Sequence, residues 1–247
     1  GPGAVRGGTP PAAVAVRMGC PQDWVNEHVR GHGAGKHGQA TTDKRLMFLP
    51  LPSITPVGVS GIRRVLIVGW PGCAELDDLR RRLNGAELIN QDTGEPEAVL
   101  SQLATTDKNV APFIVRSHSW STVTPVILPG FDDPGRMRRK YNQRIQDGQA
   151  SSDQQQHLLE RLDARILALL WKAFEQAGWT PDALAGAELE YRAAGWFRGL
   201  DLAGNYCLPK VHFPRYHVRV TFPQPVSGPL VIGSGRYRGF GLFAPCS

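Results

Sequence analysis

The sequence predicts an α+β fold. Three features carry that reading: short β-rich runs bounded by Gly and Pro, one long stretch with apolar residues at helical spacing, and a C-terminal segment where glycines interrupt strand-like residues. The 247 residues suit one large domain or two small ones, and a hydrophobic content of 41% is enough for a buried core, which excludes a disordered chain.

Residues 1–11 are rich in Gly and Pro and read as a flexible tail. Gly1-Pro2-Gly3 has the look of a protease-cleavage scar and the first methionine is Met18, as expected of a piece of a longer protein. Ala13 to Met18 alternates like a short strand. Pro21 opens a short helix that runs to Arg30 and carries Trp24, Val25 and His28, followed by the loop Gly31-His32-Gly33-Ala34-Gly35-Lys36-His37-Gly38. Leu46 to Ile54 reads as a strand whose two prolines point to an edge or an end. Ile62 to Trp70 is a second strand. Ala74 to Leu83 is a helix with Leu76, Leu79 and Leu83 on one face, and Glu87 to Asn90 a short strand. This β-α-β-β-α-β order is that of a split βαβ, or ferredoxin-like (RRM-like), unit.

Two β-rich runs follow, Phe113 to Trp120 and Thr122 to Leu128. Arg136 to Ser152 is polar and reads as a mobile loop. Ser152 to Ala177 is a helix, with Leu158, Leu162, Ile166, Leu169, Leu170 and Phe174 as its apolar stripe. Gly178 ends it and Pro181 follows. Trp171, Trp179 and Trp196 lie on or near this helix and read as core. Glu188 to Ala193 and Tyr216 to Phe222 alternate like strands, and Leu230 to Ile232 and Gly241 to Phe243 are short strands around a glycine-rich turn. The expectation is thus two ferredoxin-like units, residues 12–129 and 130–247, joined near Gly130, with a glycine-rich loop in the second.

The formal net charge of +6 favours polyanionic partners, because each phosphate neutralised releases bound counterions. Its distribution says more. Arg136, Arg138, Arg139, Lys140 and Arg144 follow one another with no acid between them. From Lys210 onward every charged side chain is basic: Lys210, Arg215, Arg219, Arg236 and Arg238. Acids gather elsewhere, as at Glu75, Asp77 and Asp78. The four cysteines form neither a CxxC nor a Cys/His zinc spacing, which predicts no structural zinc and suits a reducing, cytoplasmic setting. No apolar run reaches membrane-spanning length.

The segment from Gly228 to Phe243 is the most specific motif. Gly233, Gly235, Gly239 and Gly241 let the backbone come close to a phosphate or a base, while Arg236, Tyr237 and Arg238 add charge and stacking. A dinucleotide-binding loop would need a long helix after it, and the sequence has no room for one. Asp132 and Asp133 precede Pro134-Gly135 and read as a turn rather than a metal site. Ser117, His118 and Ser119 lack a nucleophile elbow. His28 reads as helix surface, His118 as a core or strand-end residue and His157 as solvated. His212 and His217 flank a basic, aromatic strand that includes Phe213, Arg215, Tyr216 and Arg219.

The glycine-rich segment resembles the C-terminal loop of the Cas-six-type CRISPR repeat endoribonucleases. Gly31-His32-Gly33, Arg45 to Pro52 and Trp120 to Pro129 extend the resemblance, over nearly all of residues 30–245, to the Csb-type subunit of type I-G (earlier I-U) CRISPR systems, in which a Cas-five-type domain precedes a Cas-six-type one. The Cas-five-type part has no counterpart in this sequence.

The resemblance implies metal-independent, cofactor-free cleavage of CRISPR repeat RNA to guide RNA, with the product retained. It implies other subunits of a type I effector complex as partners, and no membrane. In such cleavage the 2′-OH attacks the adjacent phosphate, giving a 2′,3′-cyclic phosphate and a 5′-OH, which calls for a base, an acid and cationic donors. Histidine suits both proton roles. His32 lies near where related enzymes place their catalytic histidine, and Lys36 and His37 share its loop. Arg138, Arg139, Lys140, Lys210, His212, Arg215, Gly233, Gly235, Arg236, Tyr237 and Arg238 are the expected RNA contacts. The alternative is a non-catalytic RNA-binding subunit on the same fold.

Overall fold

The structure is a computed structural model and describes residues 21–30, 45–70, 72–90, 93–129, 134–148, 151–207 and 213–246. Helices and antiparallel sheets make it an α+β fold, as expected. The chain forms two compact units, residues 1–51 with 62–111 and residues 52–61 with 112–247. The division differs from one at Gly130: the β-rich runs after Phe113 belong with the C-terminal elements, because they pair with the long strand there.

In the first unit, helix α1 (Gln22–Trp24) passes into a π-helical turn (Val25–Arg30) that buries Val25. Strands β1 (Met47–Thr55) and β2 (Gly58–Val68) form a hairpin whose tip, Pro52–Gly61, counts with the second unit. Pro50 and Pro52 lie in β1, which pairs with β2 among the described residues. Helix α2 (Glu75–Leu83) buries Leu79, and β3 (Glu87–Ile89) pairs antiparallel with β4 (Pro96–Val99). Among the described residues these strands form two separate two-stranded sheets, not one four-stranded sheet. The single ferredoxin-like sheet expected of this half is therefore not formed by them. The strand expected at Ala13 to Met18 lies outside the described residues.

The second unit is built on β8 (Arg215–Ser227). Strand β5 (Arg116–Thr122) runs antiparallel along it, with a bulge at His118 between Ser117 and Ser119. Strand β6 (Val126–Ile127) continues against the start of β8, β7 (Glu188–Arg192) pairs with β8, and β9 (Phe243–Pro245) pairs with β5. The order across the sheet is β9-β5-β8-β7.

Helix α4 (Ser152–Gln176) lies where the apolar stripe predicts it. Ser151 caps its first turn, with its side chain and that of Gln154 bonded reciprocally to backbone N–H groups. The chain leaves it through Gly178 at φ 92°, an αL exit suited to glycine. Leu162, Ile166, Leu169, Leu170, Ala173 and Phe174 pack on Trp120, Val218, Val220, Phe222, Leu230, Ile232 and Phe243, one face of the sheet. Trp171 and Trp179 border this core as expected, and Phe222 stacks on Trp179 at 5.2 Å.

The stretch after Arg136 is not a loop: Pro134–Gln146 is helix α3. Proline opens it without losing a needed donor, and Met137 and Tyr141, four residues apart, pack on the core. Ile145 continues the stripe one turn on, and the density of basic residues hides it in the sequence.

The glycine-rich segment is an anchored crossing between β8 and β9. Ser234 N–H donates to the Ile127 carbonyl at 3.0 Å, Gly241 N–H to Pro125 at 2.9 Å, and Ile232 N–H to Gly241 at 3.1 Å. Gly241 has φ 67°, and a Cβ there would collide with the Ile232 carbonyl oxygen. The Gly241→Ala variant should therefore lose stability twice over. αL strain costs about 1–2 kcal/mol and overpacking about 1–3 kcal/mol. Thermal melts should show a clear fall in Tm, whereas Gly204→Ala, where a Cβ meets nothing within 4 Å, should leave it nearly unchanged.

Candidate nucleic-acid interface

Helix α3 presents a charged face made only of cations. Arg136, Arg138, Arg139, Lys140 and Arg144 are all exposed and fan around the helix on either side of the Met137–Tyr141 stripe that packs on the core. No acid occurs within the helix to neutralise it. These cations sit on a helix of defined shape, unlike the flexible run of charge read from the sequence.

The glycine-rich crossing presents a second cationic edge. Gly233 and Gly235 are buried, and a Cβ at either would come within 2.9 Å of β6, at 2.7 Å from the Ile127 carbonyl oxygen for Gly233. Their structural task is to let the crossing lie against its own sheet. What the crossing turns outward is a 3-10 turn, Arg236–Arg238, closed by Gly239 at φ 80°. The Arg236 guanidinium lies 4.6 Å from the Tyr237 ring centroid, a cation–π contact. Arg215 opens β8 opposite Ile127, the residue whose carbonyl holds Ser234, so β6 brings Arg215 and the crossing to one edge. Lys210 and His212 lie outside the described residues, as do His32, Lys36 and His37.

Two of the described histidines, His28 and His217, have structural surroundings, while His118 and His157 are exposed. His28 is not on the helix surface: its ring packs between Trp24 and Trp70, with centroids 5.2 and 5.0 Å away. His118, in the bulge of β5, is bonded through Nδ1 to the Phe222 carbonyl at 3.0 Å, which makes Nδ1 the protonated nitrogen. His157 is exposed on α4, as expected.

His217 is fully buried. Its Nε2 donates to the Asp201 carbonyl at 3.1 Å, so the Thr122 hydroxyl must donate to Nδ1, also at 3.1 Å, while accepting from the Val218 N–H. Both ring nitrogens are satisfied in the neutral form, and burial holds the pKa below the ordinary histidine value. The unfolded chain thus binds a proton near pH 6.5 that the folded chain refuses. Stability falls as pH drops below about 6.5, until the depressed folded pKa is reached. In melts between pH 7.5 and 5.5, the His217→Gln variant should be less stable at the upper pH but show a smaller decline than the parent.

On the sheet face away from α4, Arg219 lies between Ser121 and Glu190 in the strand register. Trp196 is not in the core around α4. The guanidinium of Arg192 lies 4.2 Å from its ring centroid and that of Arg219 lies 5.5 Å away.

Beside α4, an open groove of about 610 Å³ is walled by Arg138 of α3, Glu160 and Asp163 of α4, and the aromatic residues Tyr191 and Tyr216. The two rings meet edge to face at 5.0 Å. Tyr191 Oη donates to Asp163 Oδ1, and burial together with that carboxylate pushes the phenol well above its ordinary pKa, so it stays a donor. Sequence reading missed this groove, because its residues are scattered over α3, α4, β7 and β8; only Arg138 had been singled out.

No helix among the described residues is long and apolar enough to cross a membrane. Neither the curated proteins nor the solved structures yield a match to the chain. A family model, that of the CRISPR-associated proteins of the GSU0054 family, matches residues 12–245. With nearly its whole length covered, the chain belongs to the GSU0054 family of CRISPR-associated proteins.

Proposed function

We propose that this protein binds CRISPR repeat RNA through the second unit and cleaves it without a metal, retaining the guide RNA product. The observation that carries the binding half is the acid-free face of α3, five exposed cations on a helix fixed to the core by Tyr141. The ordered edge of Arg215, Arg236 and Tyr237 supports it with charge and a ring for stacking. The sheet order β9-β5-β8-β7, with α3 and α4 between β5 and β7, also supports a ferredoxin-like unit in which the glycine-rich crossing stands in place of the second helix.

In the cleavage half, His32 takes the proton from the 2′-OH. The 2′-oxygen forms a bond to phosphorus as the bond from phosphorus to the 5′-oxygen breaks. His37 or Lys36 delivers a proton to the departing oxygen. The charge that builds on the phosphorane calls for cationic donors beside it.

A second reading, RNA binding without cleavage, is favoured by one observation: among the described histidines, His28 is packed against two indoles and His217 is buried with both ring nitrogens bonded. Incubating end-labelled repeat RNA with the protein in EDTA separates the two. The enzyme reading requires a discrete product ending in a 2′,3′-cyclic phosphate. Intact RNA shifted in a gel supports the binding reading.

A further inference from the structure

We propose that the groove beside α4 receives one unpaired nucleobase carrying an exocyclic amino group, and so gives the protein a base preference. The inference rests on the RNA-binding reading above and adds a site to it. The volume, about 610 Å³, is in the range of small-ligand sites and leaves room for a nucleoside unit.

The chemistry of the walls selects the occupant. Tyr191 and Tyr216 offer ring surface to a planar group. Leu159, 48% exposed, adds an apolar contact. Two carboxylates three residues apart on α4, Glu160 and Asp163, face the same space. Gln156 donates to Glu160 Oε1 at 2.9 Å and Tyr191 to Asp163 Oδ1, which leaves the second oxygen of each carboxylate to accept from a ligand. Those acceptors would repel a phosphate, so the RNA backbone must lie toward Arg138, on the cationic side of the groove. The base then points inward.

An amino-bearing base meets the carboxylates with N–H donors, as cytosine N4 does with acidic side chains elsewhere. Uracil has no exocyclic amino group, and it flanks its single N3–H donor with two carbonyl oxygens that face the same acceptors, so it is disfavoured. A peptide segment is a poorer fit, because the groove adjoins the α3 face that collects phosphate.

The test uses the full chain and two fluorescein-labelled single-stranded RNAs of equal length, oligocytidylate and oligouridylate, at one salt concentration. The parent should bind oligocytidylate about tenfold more tightly. In the double variant Glu160→Gln with Asp163→Asn, the preference should vanish while oligouridylate binding holds or improves. The amide oxygen introduced by Asp163→Asn can still accept from Tyr191, and Glu160 is exposed, so circular dichroism should be unchanged. If both RNAs bind the parent alike, or the preference survives in the variant, the base pocket is wrong while the RNA reading stands. If neither RNA binds even at low salt, both readings fall.

Discussion

Alanine at position 32 should slow cleavage of repeat RNA by about 10²- to 10⁴-fold, the usual cost of losing a general base, with little change in RNA affinity. Hydroxyl groups are poor nucleophiles at neutral pH, and a side chain with a pKa near neutrality is what makes the 2′-OH competent. His32 stands between two glycines in the sequence and lies outside the described residues. The measurement is a single-turnover time course in EDTA, with affinity determined separately by gel shift. His157→Ala is the control, since that residue is exposed on α4 and has no part in the mechanism. A His32→Ala protein that cuts at the parental rate moves the base elsewhere, first to His37 and then to His212. A parent that leaves RNA intact while shifting it in a gel establishes the binding-only reading instead.

How far the sequence could be read depended on where its side chains spend their hydrophobicity. Helix α4 was legible because Leu162, Ile166, Leu169, Leu170 and Phe174 repeat at the helical period and all enter one core. Strand β8 was legible because Val218, Val220 and Phe222 alternate with His217, Arg219 and Thr221, the first set buried against α4. Helix α3 was not, because Met137, Tyr141 and Ile145 are a sparse apolar stripe among many cations.

The sheets of the first unit were misjudged for a different reason. Local pattern identifies a strand but not its neighbour, and among the described residues β1 pairs with β2 and β3 with β4. The same limit applies to the glycines at 233, 235 and 241. Spacing marked them as special, and only the contacts with Ile127, Phe240 and Ile232 show that they face their own chain. Of the candidate site, Arg138, Arg139, Lys140, Arg215, Arg236, Tyr237 and Arg238 could be found from charge clustering alone. The Tyr191–Asp163 groove wall could not, since its partners lie on separate elements.

Neutralising three cations of α3, as Arg138→Gln, Arg139→Gln and Lys140→Gln together, should weaken RNA binding and flatten its salt dependence. Glutamine is nearly as good a helix former as arginine or lysine, and the side chains that fix the helix, Met137 and Tyr141, are untouched. Far-UV circular dichroism should therefore match the parent. On single-stranded RNA each phosphate contact contributes about 0.7 to the slope of log K against log salt, so losing three should reduce that slope by about 2. The loss of affinity should be greatest at low salt and shrink as salt rises, because the displaced counterions are the source of the term. Titrations from about 50 to 300 mM salt read both quantities at once. A parallel line with a lower intercept would mean that α3 supports the interface through shape rather than phosphate contact. An unchanged line would place the RNA away from α3 altogether, leaving the edge formed by Arg215, Arg236 and Arg238 to carry it.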